Sequence, residues 1–122
     1  MSQKRILVAD DDLAILDAIK MILEDEGFLV QVVSNGEAVL QLQFDLPDLI
    51  LLDIWMSGRD GGEICRQLKA QNHTARIPVI MVSANKDTAD IARSVGAEDF
   101  IAKPFDIDEL VGKVGQYTRD SD

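Results

Sequence analysis

At 122 residues the chain is long enough to bury one hydrophobic core without metal or disulfide staples, and its 47% apolar and 28% charged residues are ordinary for a folded domain. A formal net charge of -10 argues against direct nucleic-acid binding, which depends on lysine and arginine neutralising phosphates, and the basic residues form no stripe. The single cysteine rules out an internal disulfide framework.

The opening MSQKR precedes only the short apolar run ILVA, too brief for a signal-peptide core or a membrane span. A cytoplasmic location, no membrane partner and one domain over residues 1–122 are therefore expected. Apolar runs of strand type then alternate with period-3.6 runs five times, a (βα)5 pattern. RILVA at 5–9 reads as the first strand and runs into Asp10, Asp11 and Asp12. Asp12 suits the N-cap of a first helix striped by Ile15, Leu16, Ile19, Ile22 and Leu23 and stopped at Gly27. LVQVV at 29–33 is a second strand, and Gly36 opens a short second helix. LILL at 49–52 is a third strand leading into Asp53.

Ile64, Cys65 and Leu68 stripe a third helix, which makes Cys65 a small buried side chain rather than a reactive one. His73 follows beside Asn72 and Thr74 and reads as a solvated loop residue. PVIMVS at 78–83 is a fourth strand ending in Ser83. Ile91, Ala92 and Val95 stripe a short fourth helix stopped at Gly96, and DFIA at 99–102 runs into Lys103-Pro104. Asp106 caps a last helix striped by Ile107, Leu110, Val111 and Val114, and TRDSD frays beyond it. The third and fourth strands are almost wholly apolar, as parallel strands covered on both faces are, so the second and fifth are the expected edges. A doubly wound α/β/α sandwich of three layers follows.

In such sheets chemistry is sought beyond the carboxyl ends of the strands, where Asp10, Asp11, Asp53, Ser83 and Lys103 fall. Each alone has an ordinary explanation as a cap, a strand end or a solvated charge. As a group they do not. Two carboxylates about 4 Å apart at an effective dielectric of about 20 repel by roughly 4 kcal/mol, whereas a helix dipole returns only about 0.3–1 kcal/mol. The acids call for a hard divalent cation, and magnesium suits a shallow site with one or two carboxylates plus phosphate oxygens. Asp53 is then a candidate nucleophile toward phosphorus, forming an acyl phosphate. Metal and Lys103 supply positive charge to the phosphoryl oxygens, and the Ser83 hydroxyl supplies a hydrogen bond present only with phosphate. On this reading Asp53 depends on magnesium and Lys103 rather than on an unusual carboxylate.

The strings ILVADDD (6–12), LILLDIWMSGRDGGE (49–63), PVIMVSA (78–84) and GAEDFIAKPFDIDEL (96–110) stand in register with this pattern. Together they make the chain resemble the receiver (CheY-like) domain of bacterial two-component response regulators. The resemblance implies a flavodoxin-like strand order 2-1-3-4-5 and a signalling switch, not an enzyme, that catalyses its own phosphotransfer and autodephosphorylation. It implies that Asp53 accepts a phosphoryl group from a sensor histidine kinase or histidine phosphotransfer protein. Asp10, Asp11, Asp53 and the backbone carbonyl of Trp55 would hold Mg2+, and Ser83 and Lys103 would contact the phosphoryl oxygens. Phe100 would be the switch aromatic that moves inward with Ser83, and the Lys103–Pro104 peptide would be cis. Output would pass through helix 4, strand 5 and helix 5 to a downstream protein or output domain, with phosphorylation-linked dimerisation among the family's responses.

Three positions depart from the family's usual pattern. Trp55 is larger than the common occupant and either shields a phosphoaspartate from water or packs as a loop aromatic. Ser57 stands where proline is usual, which predicts a more mobile loop after Asp53. The segment from Ser83 to Gly96 is shorter than is common by about two residues, which predicts a short or displaced fourth helix.

The alternatives fit less well. An aspartyl phosphatase of haloacid dehalogenase type matches the spacing of Asp10 and Asp12, but Leu13-Ala14 departs from its pattern and no cap domain is visible. A flavodoxin-like binding module needs a glycine- and hydroxyl-rich loop where three aspartates stand. A degenerate receiver serving only as a protein-binding module is disfavoured because acceptor, acids, hydroxyl and lysine are all present. Both a stand-alone regulator and a receiver from a longer protein remain open.

Overall fold

A computed structural model describes residues 3–42, 46–56, 59–84 and 86–118, with Arg59 described by its backbone alone. Among these, the strands are β1 (Arg5–Ala9), β2 (Leu29–Val33), β3 (Leu49–Asp53), β4 (Trp55–Met56), β5 (Arg59–Asp60), β6 (Val79–Ser83) and β7 (Asp99–Ala102). The helices are α1 (Leu13–Asp25), α2 (Gly36–Leu40), α3 (Gly61–Ala70), α4 (Thr88–Val95) and α5 (Ile107–Thr118).

The main sheet is wholly parallel and runs β2-β1-β3-β6-β7. Numbering those five strands in chain order gives the expected order 2-1-3-4-5, with the second and fifth at the edges. Period-2 alternation divides the core between the two faces. Ile6, Val8, Leu49, Leu51, Ile80 and Val82 pack against α1 and α5 through Leu16, Ile19, Leu23, Leu110 and Val114. Leu7, Ala9, Ile50, Leu52, Val79 and Met81 pack the opposite way, against Val39, Ile64, Cys65, Leu68, Ala92 and Val95 of α2, α3 and α4. Every residue of β3 and β6 is buried, which is why their sequences lack alternation.

Caps explain the helix boundaries. Asp12 Oδ1 accepts from the backbone N–H groups of Ala14 (3.0 Å) and Ile15 (3.3 Å), as expected of an N-cap. Gly27 and Gly96 adopt left-handed φ values of 96° and 84°, ending α1 and α4 where other residues would be strained. The Asp106 carbonyl accepts from Leu110 N at 3.1 Å at the start of α5. Two further caps carry no signal strong enough to have been singled out: Asn35 accepts from Ala38 N (3.0 Å), and Asp60 from Gly62 N (2.8 Å).

Some expectations need correction. The third strand extends one residue beyond its apolar run, so Asp53 is itself a ladder residue, paired with Val82. The fourth starts at Val79, after Pro78, whose carbonyl still accepts from Ile50 N. Ile107 is 59% exposed because it is the first residue of α5, before the turn that meets the sheet. The segment after Asp53, where Ser57 predicts a more mobile loop, is described only in part. It contains an antiparallel ribbon pairing Trp55 with Asp60 and Met56 with Arg59, while Ser57 itself lies outside the described residues. Helix α4, with eight residues, is short as expected. Residues 119–122 of the expected tail are also outside the described set. Among the described residues no helix is long and apolar enough to cross a membrane.

Candidate functional site

The parallel ladder brings the carboxyl ends of β1, β3, β6 and β7 to one edge of the sheet, and the expected residues meet there. Asp10, Asp11 and Asp53 each offer a carboxylate oxygen, and these atoms all lie within 4.8 Å of one another. Asp10 is 2% exposed and Asp53 8%, while Asp11 faces solvent, so the cluster is rooted in the core and open on one side. Asp10 Oδ1 accepts from the Asp12 N–H at 2.9 Å, which joins the acidic cluster to the capped start of α1.

Lys103 supplies the cluster's cation. Its Nζ lies 2.9 Å from Asp10 Oδ2 and 3.8 Å from Asp53 Oδ1. The Lys103 backbone N–H donates to the Ser83 carbonyl at 2.9 Å, and the peptide to Pro104 is cis as expected. Ser83 is buried at the end of β6. Three carboxylates against one ammonium leave a formal excess of negative charge. With hard oxygen donors on an open side, the residues present fit a divalent cation of magnesium type.

Without a metal charge, burial first and the Asp10 carboxylate second push the Asp53 carboxyl up to about 6. Asp11 adds to the rise, and Lys103 and a hydrogen bond from the Trp55 backbone N–H oppose it. The rise belongs to the metal-free cluster, where burial and the two neighbouring acids outweigh the Lys103 ammonium.

Trp55 is 59% exposed, so it is not a packed loop aromatic; alternation in β4 sends Met56 into the core and Trp55 outward. Phe100 is half-buried against the α3-side core, with Lys113 Nζ 5.4 Å from its ring centroid. The neighbouring Asp99 binds Lys113 Nζ and the Tyr117 hydroxyl, each at 2.9 Å. His73 is exposed, as read from the sequence, and its Nε2 donates to the Leu42 carbonyl at 2.8 Å. Burial raises the Cys65 thiol to about 11, in keeping with an inert core side chain. An apolar recess of about 400 Å³, lined by Ile15, Ala84, Lys103, Pro104 and Phe105, borders the cluster.

Comparison with known proteins agrees with this geometry. The family model for the response regulator receiver domain matches residues 6–115. The DNA-binding response regulator MtrA of Mycolicibacterium paratuberculosis is 37% identical over 123 residues, covering 98% of this chain and 53% of that protein. The chain thus spans about half the length of the curated relatives it matches. Among solved structures, the receiver domain of NtrX from Brucella abortus superposes with a TM-score of 0.85 at 35% identity, covering 95% of this chain and 99% of that one. The receiver domain of a sensor histidine kinase from Pseudomonas aeruginosa has a TM-score of 0.84 at 25% identity, covering 98% and 100%, and is described with a magnesium ion coordinated in its active site cleft. The chain belongs to the response regulator receiver family, the phosphoacceptor signalling domains of two-component systems.

Proposed function

We propose that Asp53 is the phosphoacceptor of this receiver and that residues 1–122 work as one magnesium-dependent switch. The observation that carries the reading is the position of Lys103 Nζ, 2.9 Å from Asp10 and 3.8 Å from Asp53, inside a carboxylate cluster spanning no more than 4.8 Å. Asp10, Asp11, Asp53 and the Trp55 carbonyl would hold Mg2+, which when bound would supply positive charge to the phosphoryl oxygens and relieve the repulsion among the acids.

An Asp53 carboxylate oxygen attacks the phosphorus of a phosphohistidine on a sensor histidine kinase or histidine phosphotransfer protein. The P–N bond breaks as the acyl phosphate forms, and the imidazole leaves with the bonding pair and takes up a proton. Lys103 needs little movement to bind a phosphoryl oxygen from its place between the two aspartates. The Ser83 hydroxyl donates to another, and its shift makes room for Phe100 to turn inward, altering the face formed by α4, β7 and α5. That face carries the signal to a downstream protein or output domain, with dimerisation on phosphorylation as one such response. Hydrolysis of the acyl phosphate by water resets the switch. The setting is cytoplasmic, where the kinase's phosphohistidine is available.

The test is the intact mass of the protein after incubation with a small phosphodonor, with and without magnesium. One phosphoryl group is expected on wild type with magnesium and none on Asp53→Asn. A variant that still gains the group would move the acceptor elsewhere.

A further inference from the structure

We infer that Gly61 is a positioning residue for the reaction at Asp53: the first turn of α3 is seated on the acceptor's own backbone, and only a residue without a side chain lets it sit there. The inference rests on Asp53 being the acceptor.

A Cβ built on Gly61 would overlap the Asp53 carbonyl oxygen and would lie 2.8 Å from the Ile54 carbonyl oxygen and 2.9 Å from its carbon. All three are backbone atoms, so no rotamer change relieves the overlap. The Gly61 N–H also donates to the Ile54 carbonyl, tying the helix start to the residue after the acceptor. Gly61 is buried and does not use a left-handed φ, so space rather than backbone conformation demands glycine here. The preceding residue holds the arrangement from the other side. Asp60 pairs with Trp55 in the β4–β5 ribbon and caps α3 through Gly62 N at 2.8 Å. The corner after Asp53 is thus closed into a bracket running from the acceptor through the ribbon and back to it.

Gly36 provides a contrast. A Cβ there would overlap only Ile64 Cδ1, the free end of a flexible side chain rather than backbone. The in-line geometry at Asp53 depends on where β3 ends relative to Asp10 and Lys103, which follow the ends of β1 and β7. A methyl group at Gly61 must displace the Asp53–Ile54 backbone by on the order of 1 Å, a misplacement that can lower a rate by about a hundredfold.

The experiment compares initial rates of phosphoryl incorporation from a small phosphodonor, at saturating donor and magnesium, for wild type, Gly61→Ala and Gly36→Ala. Circular dichroism and urea unfolding measure the folded fraction of each. A purely structural defect leaves the folded molecules reacting at the wild-type rate. The inference expects folded Gly61→Ala to be slower by about a hundredfold, with Gly36→Ala close to wild type. A wild-type rate in folded Gly61→Ala, or equal slowing in Gly36→Ala, overturns it. If Gly61→Ala does not fold, Asp60→Ala decides: it loosens the seat without adding bulk and should react severalfold more slowly with an unchanged spectrum. A wild-type rate in Asp60→Ala then overturns the inference. Failure of wild type itself to gain a phosphoryl group would instead count against the acceptor assignment.

Discussion

Lys103 Nζ lies 2.9 Å from the carboxylate of Asp10, a residue 93 positions earlier in the chain, and this ion pair sits at the carboxyl edge of the sheet with Asp53 at its side. The pair places the ammonium 3.8 Å from the Asp53 carboxylate as well, so one cation faces both buried acids.

Removing the ammonium leaves Asp10 and Asp53 facing each other in the core. Lys103→Met should lower stability by about 2–4 kcal/mol in chelator, since an unpaired buried charge is the costly residue of a broken pair. Saturating magnesium should restore much of that loss. Urea unfolding with and without the metal measures both, and an equal loss in the two conditions would show that Lys103 and the cation do not act on the same charges.

Asp53 itself is placed at the expense of stability. Its carboxyl is pushed up to about 6 by burial and by Asp10, so at neutral pH it is ionised against its surroundings. Asp53→Asn should therefore stabilise the metal-free protein by about 3 kcal/mol, the rise from 3.8 to about 6 being worth about 1.4 kcal/mol per pKa unit. Thermal unfolding in chelator is the check, and a destabilised variant would contradict the charge balance described above.

The acid dependence of stability should pass through Asp99. Burial pushes its carboxyl up, but hydrogen bonds from Lys113, the Phe100 N–H and Tyr117 together outweigh burial and hold it below the ordinary value of 3.8. A depressed carboxyl stabilises the fold above its unfolded pKa and loses that contribution as pH falls through the folded one. Wild type should thus exceed Asp99→Asn in stability by a constant margin at neutral pH, and the margin should shrink as pH drops below 3.8. Urea unfolding of both proteins across that range gives the answer; a margin independent of pH would mean the carboxylate's charge is not what binds Lys113.

Trp55 is exposed, so truncating it should change stability by no more than about 0.5 kcal/mol. Trp55→Ala should nevertheless shorten the lifetime of the phosphorylated protein, the outcome expected of an indole that shields the acyl phosphate from water. An unchanged decay rate would remove Trp55 from the account of dephosphorylation.

What the sequence disclosed follows from which features are local. β3 and β6 were legible because strands covered on both faces are continuous apolar runs, and Asp10, Asp53, Ser83 and Lys103 because they stand where the apolar runs of β1, β3, β6 and β7 stop. The Asp10–Lys103 pair and the Asp99–Lys113–Tyr117 group join separate elements, and no spacing announces such partners. The β4–β5 ribbon, with two residues to a strand, is too short for alternation to register. Asp60-Gly61 has the composition of a turn, but that Gly61 touches the acceptor's backbone depends on the packing of α3 against β3. Ile107 obeyed the helical period and still faces solvent, because the period gives a side chain's direction and not what lies opposite it.

The central claim, that the phosphoryl group is carried by the carboxylate of Asp53, is tested most directly by reducing the phosphorylated protein with borohydride and sequencing its peptides by mass spectrometry. Reduction converts an aspartyl phosphate to homoserine at the residue that carried it. The account predicts homoserine at position 53 alone, and only when magnesium was present during phosphorylation; homoserine at position 10 or 11, or phosphate on a side chain that borohydride leaves untouched, would contradict it.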